Sequence, residues 1–541
     1  MSIGRLIRAT ALAVCATVLV AACASPSSKS SSTGPASGPT DAAPGSSALD
    51  KTFTYAVGSD PGALDPTLSA SATQSTMAGF VYDALVNVDM DGNAQSGIAS
   101  EWTQDADKAT FTIKDGITCS DGSAMTAQTV ADNLNFVADP ANASPWLGVS
   151  LPVGATAEAD GSTVTLNLAE PAPFLLTGLS GLFLVCDAGL ADRSVLTGQA
   201  IGTGPYTLED VVPNDHYTYK IRDDYAWGPN GATTAGSSMP GTLVVRVIES
   251  ESTIANLLLT GEINAAMVLG ADSLRLEAEG MGYITTPFVY GEQWYNHAEG
   301  HVTSDPAVRS ALTQAVDLAE LRQVLTSGVG TPPTSFTVNP PAGCTGGQLA
   351  DYVPAYDVEA AKSTLDAAGW TAGSDGKRSK DGVPLKVSLL YMSSNTAAGA
   401  AGAELAKAGW EAVGFEVEIQ QLSADQVPTI VFGTGDWDLV WLPFSWSTPS
   451  SLVPYASGPS MLEGGNNFSY IDNPEYSAKV AVAASQIGQA GCATWLDAET
   501  ELMKANNITV FANVDVKTYF TGSVIDRSFS ASLPTAISMA E

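Results

Sequence analysis

Few side chains in this chain could do covalent chemistry. It has three histidines, His216, His297 and His301. There is no His-Glu-x-x-His helix for a catalytic metal and no Gly-x-Ser-x-Gly nucleophile turn. One Ser-x-x-Lys spans Ser374 to Lys377, a spacing that on a helix lets lysine activate serine. Here Asp375-Gly376 interrupts it, so a surface turn is expected instead. His297 and His301 are four apart, a metal-binding spacing on a helix. Glu299-Gly300 between them points to a loop and a surface role. No metal and no cofactor are assigned. Binding chemistry has better material. Trp441, Phe444 and Trp446 place three aromatic rings in six positions, enough area to stack on a sugar, a side chain or a peptide plane. From residue 439 to 462 there is no Asp or Glu.

The elements that would position these rings alternate between strands and helices. Lys51 to Val57 alternates as a first strand, and a helix is expected through Met77, Phe80, Val81, Ala84 and Leu85. Thr126 is placed to cap a helix carrying Val130, Leu134 and Val137. Asp305 and Pro306 open another, whose apolar positions Leu312, Val316, Val324 and Leu325 run on to Gly328. Further strands are expected at Leu385 to Tyr391, Phe415 to Ile419 and Ile508 to Phe511. Gly202 and Gly204 with Pro205 read as a rigid turn into a strand. A phosphate loop is a poor reading there, because no Lys-Ser/Thr and no helix follow.

The start of the chain has the layout of an export signal: Arg5 and Arg8, an apolar run from Ala9 to Ala22, then small residues. The run is shorter than the about 20 residues a spanning helix needs. Val20-Ala21-Ala22-Cys23 resembles a bacterial lipobox, which implies cleavage before Cys23 and lipid on its sulfur. Residues 24 to 49 are rich in Ser, Pro, Gly, Ala and Thr and read as a disordered tether. With 57 acidic against 23 basic residues the net charge is −34, which repels nucleic acid and anionic lipid headgroups. Cys119, Cys186, Cys344 and Cys492 remain for an oxidising compartment. Three connectivities are open; Cys119–Cys186 with Cys344–Cys492 is preferred because each bridge stays local, and free buried thiols are the alternative.

An ordered set of motifs then identifies a resemblance. It comprises Leu64-Asp65-Pro66, Tyr82-Asp83-Ala84-Leu85-Val86, Ala99-Ser100-Glu101-Trp102, Asp115-Gly116-Ile117 through Thr126-Ala127, Gly202-Thr203-Gly204-Pro205-Tyr206, Asp305-Pro306-Ala307-Val308-Arg309 and Asp436-Trp437-Asp438-Leu439. In this order they are similar to family 5 extracellular solute-binding proteins, the oligopeptide, dipeptide and nickel receptors of ABC importers. Nickel binding is kept as a minor reading on account of His297 and His301.

The resemblance implies an α/β, two-lobed periplasmic-binding-protein-like fold of the large, three-subdomain type, with a hinge. It implies a signal peptide at 1–22 and a lipidated Cys23 with tether at 23–49. Lobe I would comprise 50–88, 201–290 and 506–541, with 89–200 as its accessory subdomain, and lobe II would comprise 291–505. The ligand would meet Ser71, Ala72 and Thr73 from one lobe and Trp441, Phe444, Ser445 and Trp446 from the other. The expected partners are a small solute, peptide or oligosaccharide, the ABC permease subunits, and the membrane through the lipid anchor. The expected state is a monomer on the outer face of the cytoplasmic membrane, with no nucleic acid and no enzymatic activity. Oligopeptide receptors commonly carry an Asp in the aromatic loop for the ligand's amine, and its absence makes oligosaccharides and modified peptides serious candidates. An exported, lipid-anchored hydrolase is the reading from a different class.

Overall fold

The computed structural model describes residues 48–69, 71–90, 92–392, 396–423, 426–444, 446–526 and 534–540. The signal, Cys23, nearly all of the tether and Ser445 lie outside the described residues. Among the described residues no helix is long and apolar enough to cross a membrane.

One ten-stranded sheet organises the chain. In chain order its strands are β1 (Thr52–Val57), β2 (Tyr206–Val212), β3 (His216–Ile221), β4 (Thr242–Val247), β5 (Ala265–Val268), β6 (Gly282–Tyr295), β7 (Lys386–Met392), β8 (Glu416–Leu422), β9 (Leu439–Trp441) and β10 (Ile508–Phe520). Their spatial order is β8-β7-β9-β6-β10-β5-β1-β4-β3-β2. The antiparallel pair β6 and β10 joins the two halves. Near one end of the pair, Lys517 to Phe520 of β10 meet β5; near the other, Gln293 to Tyr295 of β6 meet β9. The two strands thus run from one half of the sheet into the other. Their register shifts between Val289 and Glu292. A Cβ on Gly291 would lie 2.5 Å from the Phe511 ring, so this bend needs glycine.

A separate four-stranded sheet comprises Ala99–Gln104, Lys108–Ile113, Thr163–Asn167 and Thr156–Asp160 in spatial order. A helix, Ala127–Ala138, covers it, capped by Thr126 and burying Val130, Leu134 and Val137. Elsewhere the Asp83 carboxylate ties distant stretches of the chain together. Thr203, Tyr225 and Trp227 all donate to it, at 2.9–3.1 Å. Burial raises its pKa, and those donors offset part of the rise. The Gly202-Thr203-Gly204 turn packs on the chain just after helix α1 (Ala72–Val81). A Cβ on Gly202 would lie 2.1 Å from the Val81 carbonyl oxygen. Those glycines answer to close packing.

Three local expectations are corrected. Helix α1 stops at Val81, so Ala84 and Leu85 lie beyond it, where Asp83 is held by its three donors. The helix opened by Asp305 ends at Gln314, and a second, Leu318–Leu325, starts afresh with the Asp317 carboxylate accepting from the Ala319 and Glu320 amides. The last strand extends to Phe520, well past Phe511. The structure joins Cys119 to Cys186 and Cys344 to Cys492.

Candidate functional site

Strand β9 decides which aromatic residues face which way. Leu439 and Trp441 point to one face, into the core around Tyr295, Leu312 and Trp410. Trp441 is 2% exposed, and its indole N–H donates to Gln293 Oε1 at 2.9 Å. It belongs to the core, which corrects its expected place in the cleft. Val440 and Leu442 point to the opposite face, and there the chain leaves the sheet. Phe444 and Trp446 follow, both half-buried, with rings 5.1 Å apart and 18° from parallel. Tyr455 lies 4.9 Å from Trp446, and Trp294 meets Phe444 edge-on at 5.6 Å.

Two strings of contacts hold this loop. The Asn339 amide donates to the Trp446 carbonyl at 3.1 Å, and the Gly343 amide to the Ser447 carbonyl at 2.7 Å. The next residue, Cys344, is bonded to Cys492. The Pro173–Phe174 segment touches the same place. The Phe174 ring lies 6.0 Å from Trp495 and shares an apolar cluster with Cys344, and the Gly488 amide donates to the Pro173 carbonyl at 2.7 Å. The aromatic loop therefore stands beside a contact with the Pro173–Phe174 segment.

Ser71 is exposed and caps α1, accepting from the Gln74 amide at 3.1 Å. Thr73 Oγ1 is 3.2 Å from Ser59 Oγ. Ala72 is the first residue of α1. The structure brings Phe444 and Trp446 together, and separately Ser71 and Thr73. Among the described residues no hydrogen bond or ring contact joins the two groups. A cavity of about 420 Å³ lies elsewhere, lined by Ser120–Asp121, Gly198–Ile201 and Thr207–Val211, and neither the Ser71–Thr73 group nor the Phe444–Trp446 pair lines it.

Sequence reasoning missed Glu292. It lies on β6 beside β9, fully buried, and its Oε2 accepts the Phe444 amide at 2.6 Å. Burial pushes it up to about 8, tempered by that amide and the Trp294 indole. The available signal was one acid in a strand otherwise fit for a core. The histidine pair separates: His297 Nε2 faces the Asn507 carbonyl at 3.3 Å, and His301 Nδ1 pairs with Asp438 at 2.9 Å. His297 is largely buried, against the expected surface role, and burial lowers it to about 3. Lys377 pairs with Glu416 at 2.9 Å, away from any Ser374 chemistry.

A second buried acid stands near the loop's support. Glu499 accepts from the Ser335 hydroxyl, the Phe336 amide and the Thr337 hydroxyl, and burial pushes it up to about 7. An acid whose folded pKa is raised binds its proton more tightly when folded. Its stabilisation is complete below the ordinary carboxylate range and is lost as pH rises through about 7. Melting of the wild type is therefore expected to fall between pH 5 and 8, and Glu499→Gln should flatten that slope. An unchanged slope in thermal melts would refute the assignment.

Residues 93–467 match the family described as bacterial extracellular solute-binding proteins, family 5 middle. Over 493 residues the chain is 24% identical to protein XP55 of Streptomyces lividans, covering 85% of this chain and 83% of that one. It is 26% identical over 331 residues to the glutathione-binding protein of Escherichia coli K12, covering 60% of this chain and 62% of that protein, less than two thirds of its length. The fold is shared with a substrate-binding protein of Microbacterium hydrocarbonoxydans complexed with 4-hydroxybenzoate hydrazide, at TM-score 0.70 and 26% identity, over 90% of this chain and 100% of that one. It is also shared with the oligopeptide-binding protein AppA of Bacillus subtilis in complex with a nonapeptide, at TM-score 0.67 and 17% identity, over 91% and 99%.

Proposed function

Because the chain belongs to family 5 of the bacterial extracellular solute-binding proteins, we propose that it captures a small solute, foremost an oligopeptide, between its lobes and hands it to an ABC importer. The observation that carries this reading is the family match together with a fold shared along nine tenths of the chain. The lobes divide as 50–88, 201–290 and 506–541 against 291–505, with 89–200 moving with the first. Closure bends the β6–β10 pair near Gly291. The ligand meets Ser71, Ala72 and Thr73 on one side and Phe444, Ser445 and Trp446 on the other. The protein acts by binding, as a monomer, without covalent chemistry.

The stacked Phe444–Trp446 pair supports a second reading, an oligosaccharide or other flat solute. The Microbacterium relative was solved with an aryl hydrazide, a flat non-peptide molecule. A thermal-shift panel of tetrapeptides and malto-oligosaccharides separates the two. A true ligand at 100 times its Kd adds about 2.7 kcal/mol of stability. No shift from either class would overturn capture of both.

The lipid on Cys23 keeps the receptor outside the cell, close to its permease. Cys23→Ser is expected to move the protein from the membrane fraction to the medium. Continued membrane retention would contradict the anchor.

A further inference from the structure

One side chain is rooted in one packed body and buried in another. Phe174 stands at the head of the short helix Leu175–Ser180, whose Leu175 and Leu179 pack in the core of the four-stranded sheet. Its stem is fastened to that sheet too, because the Gln104 side-chain amide donates to the Ala172 carbonyl at 2.8 Å. Yet the Phe174 ring, 5% exposed, lies in a socket made by Cys344, Ala483 and Trp495. Of that apolar cluster only Phe174 comes from the side of the four-stranded sheet. Gly343 is the floor of the socket. A Cβ there would lie 2.9 Å from Phe174 Cδ1, so the ring rests on bare backbone. The amide of this same Gly343 holds the Ser447 carbonyl in the aromatic loop. A second approach runs beside the first: a Cβ on Gly92 would lie 2.9 Å from Gln489 Nε2 and 3.2 Å from the Ala342 carbonyl oxygen.

Resting on the lobe division proposed above, we propose that Phe174 is the plug of a latch that holds 89–200 against 291–505 before any solute arrives. The socket is built to open. It buries the Trp495 indole nitrogen, on a residue 2% exposed, with no partner among the described residues. A permanent seam would pair that N–H. Withdrawing the ring admits water to it, which offsets part of the apolar loss. Burying one phenylalanine ring shifts an equilibrium by about ten- to a hundredfold, enough to bias two lobes and little enough to be reversed. The contact is made although no hydrogen bond or ring contact among the described residues joins Ser71 and Thr73 to Phe444 and Trp446. It therefore does not wait for the two walls of the proposed site to meet. By raising the fraction of protein ready to bind, the latch raises the apparent affinity for whatever solute the lobes enclose.

The test uses the ligand-free full chain. Hydrogen exchange read by mass spectrometry follows the stretch around Gly488, whose amide donates to the Pro173 carbonyl, with β10 as the reference. Small-angle scattering follows overall size. In the wild type the Gly488 stretch should exchange through an opening that responds weakly to denaturant, because parting the lobes exposes little surface, whereas β10 should exchange through steep global unfolding. Phe174→Ala should speed exchange around Gly488 about tenfold or more and enlarge the radius of gyration. Gly343→Ala presses a methyl against the ring from the other side. It should act in the same direction and add little once Phe174 is gone. Val164→Ala, in the core of the four-stranded sheet and outside the socket, should lower melting without enlarging the molecule. Should Phe174→Ala fail to fold, the denaturant response of the wild type and Gly343→Ala decide. Exchange around Gly488 through global unfolding alone, or unchanged exchange and size in folded Phe174→Ala, overturns the latch and leaves the receptor reading standing. A tetrapeptide or malto-oligosaccharide that shifts melting in the panel above should bind Phe174→Ala several-fold more weakly, and equal affinity overturns the latch's part in binding. A panel without any shift overturns the receptor reading alone, since exchange and scattering are read without solute.

Discussion

Trp446→Ala is expected to weaken ligand binding by about ten- to a hundredfold, the range of an aromatic anchor, while lowering stability by only about 1 kcal/mol. The separation of the two effects follows from where the ring lies. Trp446 is half-buried and its indole nitrogen has no partner, so the fold uses its face and leaves its edge free. Trp441, five residues earlier, is the internal control. It is almost wholly buried, its N–H is held by Gln293, and its ring packs 6.1 Å from Phe511. Trp441→Ala should therefore cost about 3–5 kcal/mol of stability. Titration and melting of both variants check this. A large loss of stability in Trp446→Ala with unchanged affinity would place that ring in the core as well.

Removing the Cys344–Cys492 bond by a double alanine substitution should cost about 2–5 kcal/mol and also weaken binding. The bond joins residues 148 apart in the chain. It fixes Cys344 directly after Gly343, whose amide holds the Ser447 carbonyl in the aromatic loop. It also fixes the surface on which Phe174 and Pro173 rest. Loosening that segment frees the loop, and a ligand's apparent affinity falls with the fraction of binding-competent protein. The Cys119–Cys186 bond gives the comparison. It lies within the accessory core, so its loss should lower melting with little effect on affinity. Equal losses of affinity from both bonds would contradict the link between the Cys344 segment and the site.

Much of the fold was legible because its motifs are local. Thr126 and Asp305 each cap the helix that their positions announce. What escaped was set by tertiary contacts. The strand β10 continues to Phe520 without an alternating pattern because its first seven residues are buried on both faces. Helix α1 is cut short by the Asp83 network, whose donors lie 120 to 144 residues away. At the site, three aromatic residues read alike in sequence, and only the pairing of β9 with β6 and β7 decides that Trp441 turns inward. Glu292 escaped for the same reason. It precedes Phe444 by 152 residues, and no spacing in the sequence connects them.

The central claim is that this molecule holds a small solute between its lobes. Native mass spectrometry of the full chain, extracted gently from bacterial membranes, tests it most directly. A second mass series is predicted, heavier by one small molecule per protein, that disappears after unfolding and refolding and returns when the identified solute is added. A single unliganded mass, unchanged by any peptide or oligosaccharide offered, would contradict it.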